Sequence, residues 1–297
     1  MKKRLLYTLL IFVLFIMPFL ILSNHFINTV DEININNTLL RLDMSMSSLS
    51  YQLSDMLVQN YDVLRDIRNK RYDKEKLIKK LKEIKDSSII VKNISLYNGK
   101  NLEFSTDKNT APKNIDTALL ENAKRLQLPI GQVIYPKDAP PELLTAEYIS
   151  DRLVVSITDL GYLNGLLLKM SKKLYVNLYL FDGDENIIFD SNYDYIFNYN
   201  VKPHKEISEL ISTLISKNIF SYKGIINING KKSLVSIYNV ETTKWWIYGI
   251  MDYEKIVNNN LRDWAKRVVY SGIILIFVFS YISVLIMEKF YIRKRDI

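Results

Sequence analysis

The chain of 297 residues contains no cysteine, two histidines, nine glycines and seven prolines. Without thiols there are no disulfides, no thiolate metal sites and no cysteine nucleophiles. His25 and His204 alone cannot supply a histidine-rich zinc site or an obvious catalytic triad. The sequence also lacks a G-x-S-x-G elbow and a phosphate-binding loop. Asp182-Gly183-Asp184-Glu185-Asn186 begins like a calcium loop, but Ile187 stands where that loop requires Gly and Tyr193 where it requires Glu. It reads as a hairpin turn. None of the 32 acidic residues stands out as half of a carboxylate pair for glycoside hydrolysis. These absences leave no enzyme activity, metal or cofactor to expect.

Two stretches also lack charge, Leu5 to Leu22 and Val268 to Met287. As helices they measure roughly 27 and 30 Å, about one hydrocarbon core, and predict two membrane spans. The basic start Lys2-Lys3-Arg4 also suits a cleavable secretory signal, but Leu22-Ser23-Asn24-His25 offers no A-x-A-like exit, which favours an uncleaved anchor. Lys2, Lys3 and Arg4 before the first span, and Lys289, Arg293, Lys294 and Arg295 after the second, place both termini in the cytoplasm. Lys266 and Arg267 oppose this mildly, and long segments translocate regardless of charge. Residues 23–267 are then extracytoplasmic, in a bacterial plasma membrane with lipid around the spans. The net charge of +8 gathers at the membrane flanks and between Arg65 and Lys85, so it gives no reason to expect nucleic acid.

From Ser23 to Asn98 there is neither glycine nor proline. Leu42, Met46, Leu49, Leu53, Met56, Val63 and Ile67 follow 4-3 spacing, with Asn60 in the missing position, which predicts one long helix emerging from the membrane. The stripe either packs on its own domain or forms a seam between two chains with Asn60 setting register. A mixture is expected, pairing near the membrane and packing inward beyond. A second helix is expected over Lys74–Lys85, with Leu77, Ile78, Leu81 and Ile84 on one face.

Short strands and turns follow. Ile89–Leu96 and Leu102–Ser105 read as strands around the turn Tyr97-Asn98-Gly99-Lys100, and Asn114–Arg125 as a helix. Strands are expected at Gly131–Tyr135, Thr145–Ile157 with a break at Asp151-Arg152, and Tyr162–Met170, with Pro136–Pro141 as a loop. The order then repeats. It runs through strands Leu174–Phe181 and Asn186–Asp190, a helix Glu206–Lys217 with Ile207, Leu210, Ile211, Leu214 and Ile215 on one side, and strands Phe220–Ile228, Lys232–Val240 and Trp245–Tyr253. Asn229-Gly230 is a hairpin turn. Asp252–Arg267 reads as a helix running into the second span. Two α+β modules in series are predicted.

The emergent helix, Asn93-Ile94-Ser95-Leu96-Tyr97-Asn98-Gly99, Leu163-Asn164-Gly165-Leu166-Leu167-Leu168, Tyr179-Leu180-Phe181-Asp182-Gly183-Asp184 and Lys244-Trp245-Trp246-Ile247-Tyr248-Gly249-Ile250 together carry a pattern. That pattern resembles the double-Cache extracytoplasmic sensor domains of bacterial transmembrane receptors. The resemblance covers Ser23–Arg267 and implies an α+β fold with a long N-terminal helix and two PAS-like modules with antiparallel sheets, flanked by two transmembrane helices. The parts are a cytoplasmic start 1–4, a first span 5–22, emergent helices 23–87, a distal module 88–171, a proximal module 172–254, an exit helix 255–267, a second span 268–287 and a cytoplasmic tail 288–297. It further implies a small ligand, usually in the distal module, and a signal carried through the helices. The family's amino-acid-binding subgroup uses an Arg followed by Trp-Tyr, then a Tyr and an Asp. Here the only tryptophans are Trp245, Trp246 and Trp264, and Lys169-Met170 falls where the Asp belongs, so amino-acid recognition is not carried over. Only Glu288–Ile297 follow the second span, which leads to the expectation of an output domain on a partner or of a truncated receptor.

A ligand pocket combines apolar walls with a few convergent polar groups, and the distal candidates are Tyr135, Tyr148, Arg152 and Asp159. Tyr193, Tyr195 and Tyr199 line a proximal pocket or form a packed loop. Trp245 and Trp246 point to opposite faces of a strand, one of them into the core. The expectation is a membrane receptor for a small molecule, acting as a homodimer or with a signalling protein. An envelope assembly protein and an envelope hydrolase are the alternatives.

Overall fold

The computed structural model describes residues 2–62, 64–68, 70–88, 90–112, 117–126, 130–136, 140–192, 202–241, 243–258 and 260–293. The chain divides into two bodies, residues 1–41 with 252–297, and residues 42–251.

The first body is helical. It holds the start of α1 (Lys2–Asp62), which carries Pro18 within it, together with α7 (Tyr253–Val257) and α8 (Asn260–Arg293). The segments Leu6–Gln59 and Leu261–Lys289 are long and apolar enough to cross a membrane, with peak mean hydropathy of 2.6 and 2.4. Phe12 and Phe277 meet edge to face at 5.6 Å, and a Cβ at Gly272 would strike the Phe19 ring, so the helices touch where that glycine leaves space. Asn34 donates to the Ile256 carbonyl at 2.7 Å, and Arg262 lies 3.4 Å from Asp31. The expected single exit helix is two helices. Asp252 caps α7 by accepting from Glu254 N–H, and α7 ends at Asn258.

The second body holds two modules of the same design. In the first, the expected distal module, α2 (Arg65–Arg68), α3 (Lys74–Ser87) and α4 (Thr117–Leu126) accompany β1 (Val91–Asn98), β2 (Asn101–Ser105), β3 (Ile130–Ile134), β4 (Glu142–Ile149) and β5 (Arg152–Asp159), an antiparallel sheet in the order β2-β1-β5-β4-β3. In the second, the expected proximal module, β6 (Asn177–Phe181), β7 (Ile187–Asp190), α6 (Lys205–Ser216), β8 (Ser221–Ile228), β9 (Lys231–Asn239) and β10 (Trp246–Asp252) give the order β7-β6-β10-β9-β8. Strand alternation gives each sheet two apolar faces. The distal outer face packs Val91, Ile94, Leu96, Ile149 and Val154 against Leu64, Ile67, Leu77 and Leu81. On this face Glu147 is fully buried and ion-paired with Arg68. Burial pushes the Glu147 carboxyl up, and the guanidinium opposes that shift.

Helix α1 covers the outer face of the proximal sheet. Leu42, Met46, Leu49, Leu53 and Leu57 are buried, and a Cβ on Gly249 would come within 2.9 Å of Leu42 and Met46 side chains. The stripe therefore turns inward and follows 3.6-residue periodicity. Leu57, not Met56, is the next buried position, as a straight helix on a sheet requires. Val63 lies outside the described residues, as does the Asn60 side chain, and Ile67 belongs to α2. Asp43 anchors α1 to β8 and β9, accepting from Lys223 Nζ at 2.8 Å, Tyr238 OH at 2.9 Å and Ser236 Oγ at 3.2 Å. Burial raises its pKa, but these donors outweigh burial and hold the carboxyl below its ordinary value.

The expected strand Tyr162–Met170 is a helix, α5 (Gly161–Leu174), which joins the modules. Its buried residues Leu163, Asn164, Leu167 and Ser171 repeat at 3–4 spacing, and Asp159 Oδ1 caps the start by accepting from Gly161 N–H at 2.7 Å. Ile215, expected on the packed face of α6, is exposed, and Ile207, Ile211 and Leu214 fill the core.

Candidate ligand-binding site

Each sheet turns its inner face toward its short helix, α4 or α6. On the distal inner face, register across β1, β5 and β4 sets residues in rows. Tyr97, Leu153 and Tyr148 form one row; Ser95, Val155 and Ala146 the next; Asn93, Ile157 and Leu144 the third. Beyond them Asp159 stands opposite Glu142, which is held by Lys92. The middle row is built of small side chains, and the helix above contributes Ala123 with Leu119 to the same cluster. Asn93 is fully engaged. Its Oδ1 accepts from Ser105, Thr106 and the Asp107 N–H, while its Nδ2 donates to Ser95 Oγ and the Asp107 carbonyl. Tyr97 OH donates to the Pro112 carbonyl at 2.7 Å, and burial raises its phenol pKa.

The same place in the proximal module is filled by rings. Tyr179 and Tyr248 pair across β6 and β10 and stack at 4.7 Å, flanked by Phe181, Trp246 and the edge of His204. Tyr248 is fully buried, its OH lies 3.3 Å from His204 Nδ1, and burial drives its pKa far up. Asp190 pairs with Tyr179 in register and is 4% exposed. Its Oδ1 accepts from Asn192 N–H at 2.8 Å and Nδ2 at 3.0 Å. Burial raises the Asp190 carboxyl, and those hydrogen bonds and His204 only partly offset it. Both Trp245 and Trp246 are buried, and Trp246 belongs to this core. Tyr193, Tyr195 and Tyr199 lie outside the described residues.

The four residues expected to converge are not brought together. Tyr148 and Asp159 share the inner face, but Asp159 sits six strand positions beyond Leu153, the partner of Tyr148, roughly 20 Å along the strand. Arg152 alternates to the outer face, where its Nε lies 2.9 Å from Glu103, a carboxylate also within 3.3 Å of Lys74. Those donors hold Glu103 below its ordinary pKa. Tyr135 reaches into the proximal module and donates to Asp182 Oδ2 at 2.9 Å, in the β6–β7 turn. Ser95, Ala146 and Val155 escaped notice in the sequence because small residues carry no chemical signature. Their alternation with Tyr97 and Tyr148 was the available signal. Among the described residues no His, Asp and Glu group is placed to hold a metal ion.

No family model matches the sequence, and no curated protein does. The structure, however, is similar to solved sensory domains. The sensory domain of the Campylobacter jejuni chemoreceptor Tlp3 superposes with a TM-score of 0.58 at 14% identity, over 78% of this chain and all of that one. The Tlp3 domain in complex with L-valine gives 0.53 at 13% identity, over 78% and 98%. The ligand-binding domain of the Pseudomonas aeruginosa chemoreceptor PctC, in complex with GABA, gives 0.54 at 11% identity, over 72% and 100%. The chain has the double-Cache fold. In that fold, β1–β5 with α2–α4 make one module and β6–β10 with α6 the other, the latter backed by α1.

Proposed function

We propose that this chain is a membrane-anchored, extracytoplasmic sensor of a small molecule, not an enzyme. The ligand lies on the distal inner face, against Ser95, Val155 and Ala146, with Tyr97 and Tyr148 at its edge. One observation carries this reading: the distal module places its smallest side chains where the proximal module stacks two tyrosines. A ligand entering there displaces methyl groups, whereas in the proximal module it would displace rings. The apolar lining favours a compact, mostly apolar molecule oriented by the two phenols. Asp159 and Glu142 close the far end of the face. Tyr135 and Arg152 serve in the join between modules and the join of sheet to helix. Residues 23–267 stand outside a bacterial membrane, both spans run through lipid, and binding shifts α1 and α8 toward a signalling partner. The fold similarity supports the receptor class, and the two apolar helices support anchoring.

The test is a thermal-shift screen of the purified chain, beginning with valine, isoleucine and GABA because the similar domains bind them. A ligand at a hundred times its Kd stabilises by about 2.7 kcal/mol. Ala146→Leu should abolish that shift. A shift that survives Ala146→Leu intact would place the ligand elsewhere.

A further inference from the structure

Lys266 and Arg267 lie on the side of the second span where basic residues oppose the topology, and they differ in their surroundings. Lys266 lies 3.9 Å from Asp263, and Arg262, four residues earlier, lies 3.4 Å from Asp31. Among the described residues no carboxylate pairs with the Arg267 guanidinium. Arg267 instead lines a groove of about 620 Å³ between α1 and α8, within the helical body. Its walls are Phe19, Leu22 and Phe26 of α1 and Trp264, Val268 and Leu275 of α8. On α8, Trp264, Val268, Ser271 and Leu275 follow 4-3-4 spacing and so share one helix face. Leu22, Trp264 and Leu275 are 66%, 55% and 56% exposed, so the two helices flank this groove without closing it. From Arg267 to Leu275 the helix rises about 12 Å, and one leaflet contributes about 15 Å of hydrocarbon. The groove has the depth of a single leaflet, with its cation at one end.

We propose that this groove seats a phospholipid of net negative charge from the extracytoplasmic leaflet, with one acyl chain between α1 and α8 and the phosphate on Arg267. The site rests on the membrane anchoring proposed above, which sets Arg267 at headgroup level and Leu275 in the hydrocarbon. Charge selects the headgroup. Arg267 is the one charged residue among the described residues that line the groove, and a guanidinium fork matches phosphate oxygens. No carboxylate stands among them to receive the amine of a zwitterionic head. Ser271 Oγ donates to the Arg267 carbonyl at 2.9 Å, which leaves the guanidinium as the donor for the phosphate. Trp264 stands at the level where interfacial tryptophans gather. The lipid thus supplies the counter-ion for Arg267 and covers the apolar walls beneath it.

The test uses the full chain in a neutral detergent, mixed with phosphatidylglycerol and phosphatidylcholine in equal amounts, with the lipid that stays bound counted by native mass spectrometry. One phosphatidylglycerol per chain should be retained over phosphatidylcholine by about fivefold, the worth of one basic residue beside an anionic headgroup. Arg267→Gln should reduce that preference to none. Lys266→Gln removes the same charge one residue away, outside the groove, and should keep it. Ser271→Phe fills the groove without altering charge and should expel the lipid. Equal retention of the two lipids by the wild-type chain, equal loss of preference in Arg267→Gln and Lys266→Gln, or undiminished retention by Ser271→Phe overturns the site and leaves the anchoring standing. A second copy bound with no lipid does the same. Release of the chain from membranes by alkaline extraction overturns the anchoring and the site together.

Discussion

In the distal module the strands β1 and β5 meet through Ser95 and Val155; in the proximal module the strands at the same place in the order, β6 and β10, meet through Tyr179 and Tyr248. Strand order and hairpin connections are alike, and each inner face is covered by one short helix. Side-chain size separates them. Ala123 and Leu119 of α4 cover the distal face, while Ile207, Ile211 and Leu214 of α6 cover the proximal one. Two modules of one design can thus divide the work. One is a core filled by rings that holds α1 through its outer face, and the other keeps a face of small groups, where we propose that the ligand sits.

The largest effect should come from removing a ring on the filled face. Tyr248→Ala leaves a cavity among Tyr179, Phe181 and Trp246 and should destabilise the chain by about 3–5 kcal/mol, read from urea unfolding. Ligand affinity, measured in folded protein, should be unchanged. A mild stability loss with collapsed affinity would reverse the roles of the two modules.

Carrying the proximal ring into the distal face sharpens the same contrast. Val155→Tyr adds a phenol to the small-residue row beneath Ala123 and should cost about 1–3 kcal/mol through overpacking. It should also eliminate ligand-induced stabilisation in the thermal-shift assay. If stability falls but the shift persists, the ligand does not touch this row.

The sequence made the element order legible, because amphipathic helices and alternating strands announce themselves through periodicity. It misled where a run was short and uniformly apolar. Leu166, Leu167 and Leu168 suit a strand, and only by following the run to Ser171 does the helical spacing of Leu163, Leu167 and Ser171 emerge. The α1 stripe was legible as a stripe but not as to its partner. Both faces of the helix carry apolar residues, and only packing against the sheet shows that Leu42 and Met46 are covered while Met44 and Tyr51 are not. The candidate site was least legible. Polar residues attract notice in a sequence, yet Arg152 and Tyr135 have structural partners, and the row we propose for the ligand is marked by smallness. Of the expected four, Tyr148 alone borders that row.

The smallest effect concerns Asp190, a buried acid on the aromatic side of the comparison. Burial raises its pKa above the ordinary 3.8, so over a window starting at that value the unfolded chain has released a proton that the folded chain retains. Its contribution is complete below the window and is lost as pH rises through the folded value. Asp43 has the opposite sign, since its lowered pKa supplies stability that disappears as pH falls. A raw stability curve mixes the two, so the informative quantity is the difference between wild type and Asp190→Asn. That amide keeps the acceptor for Asn192 and cannot titrate. Urea midpoints taken from the ordinary carboxylate range up to about pH 6, beneath the ordinary histidine range, should show wild type losing ground to Asp190→Asn as pH rises. A flat difference would mean that Asp190 is solvated in the folded chain, and that the proximal face is more open than the stack of Tyr179 and Tyr248 implies.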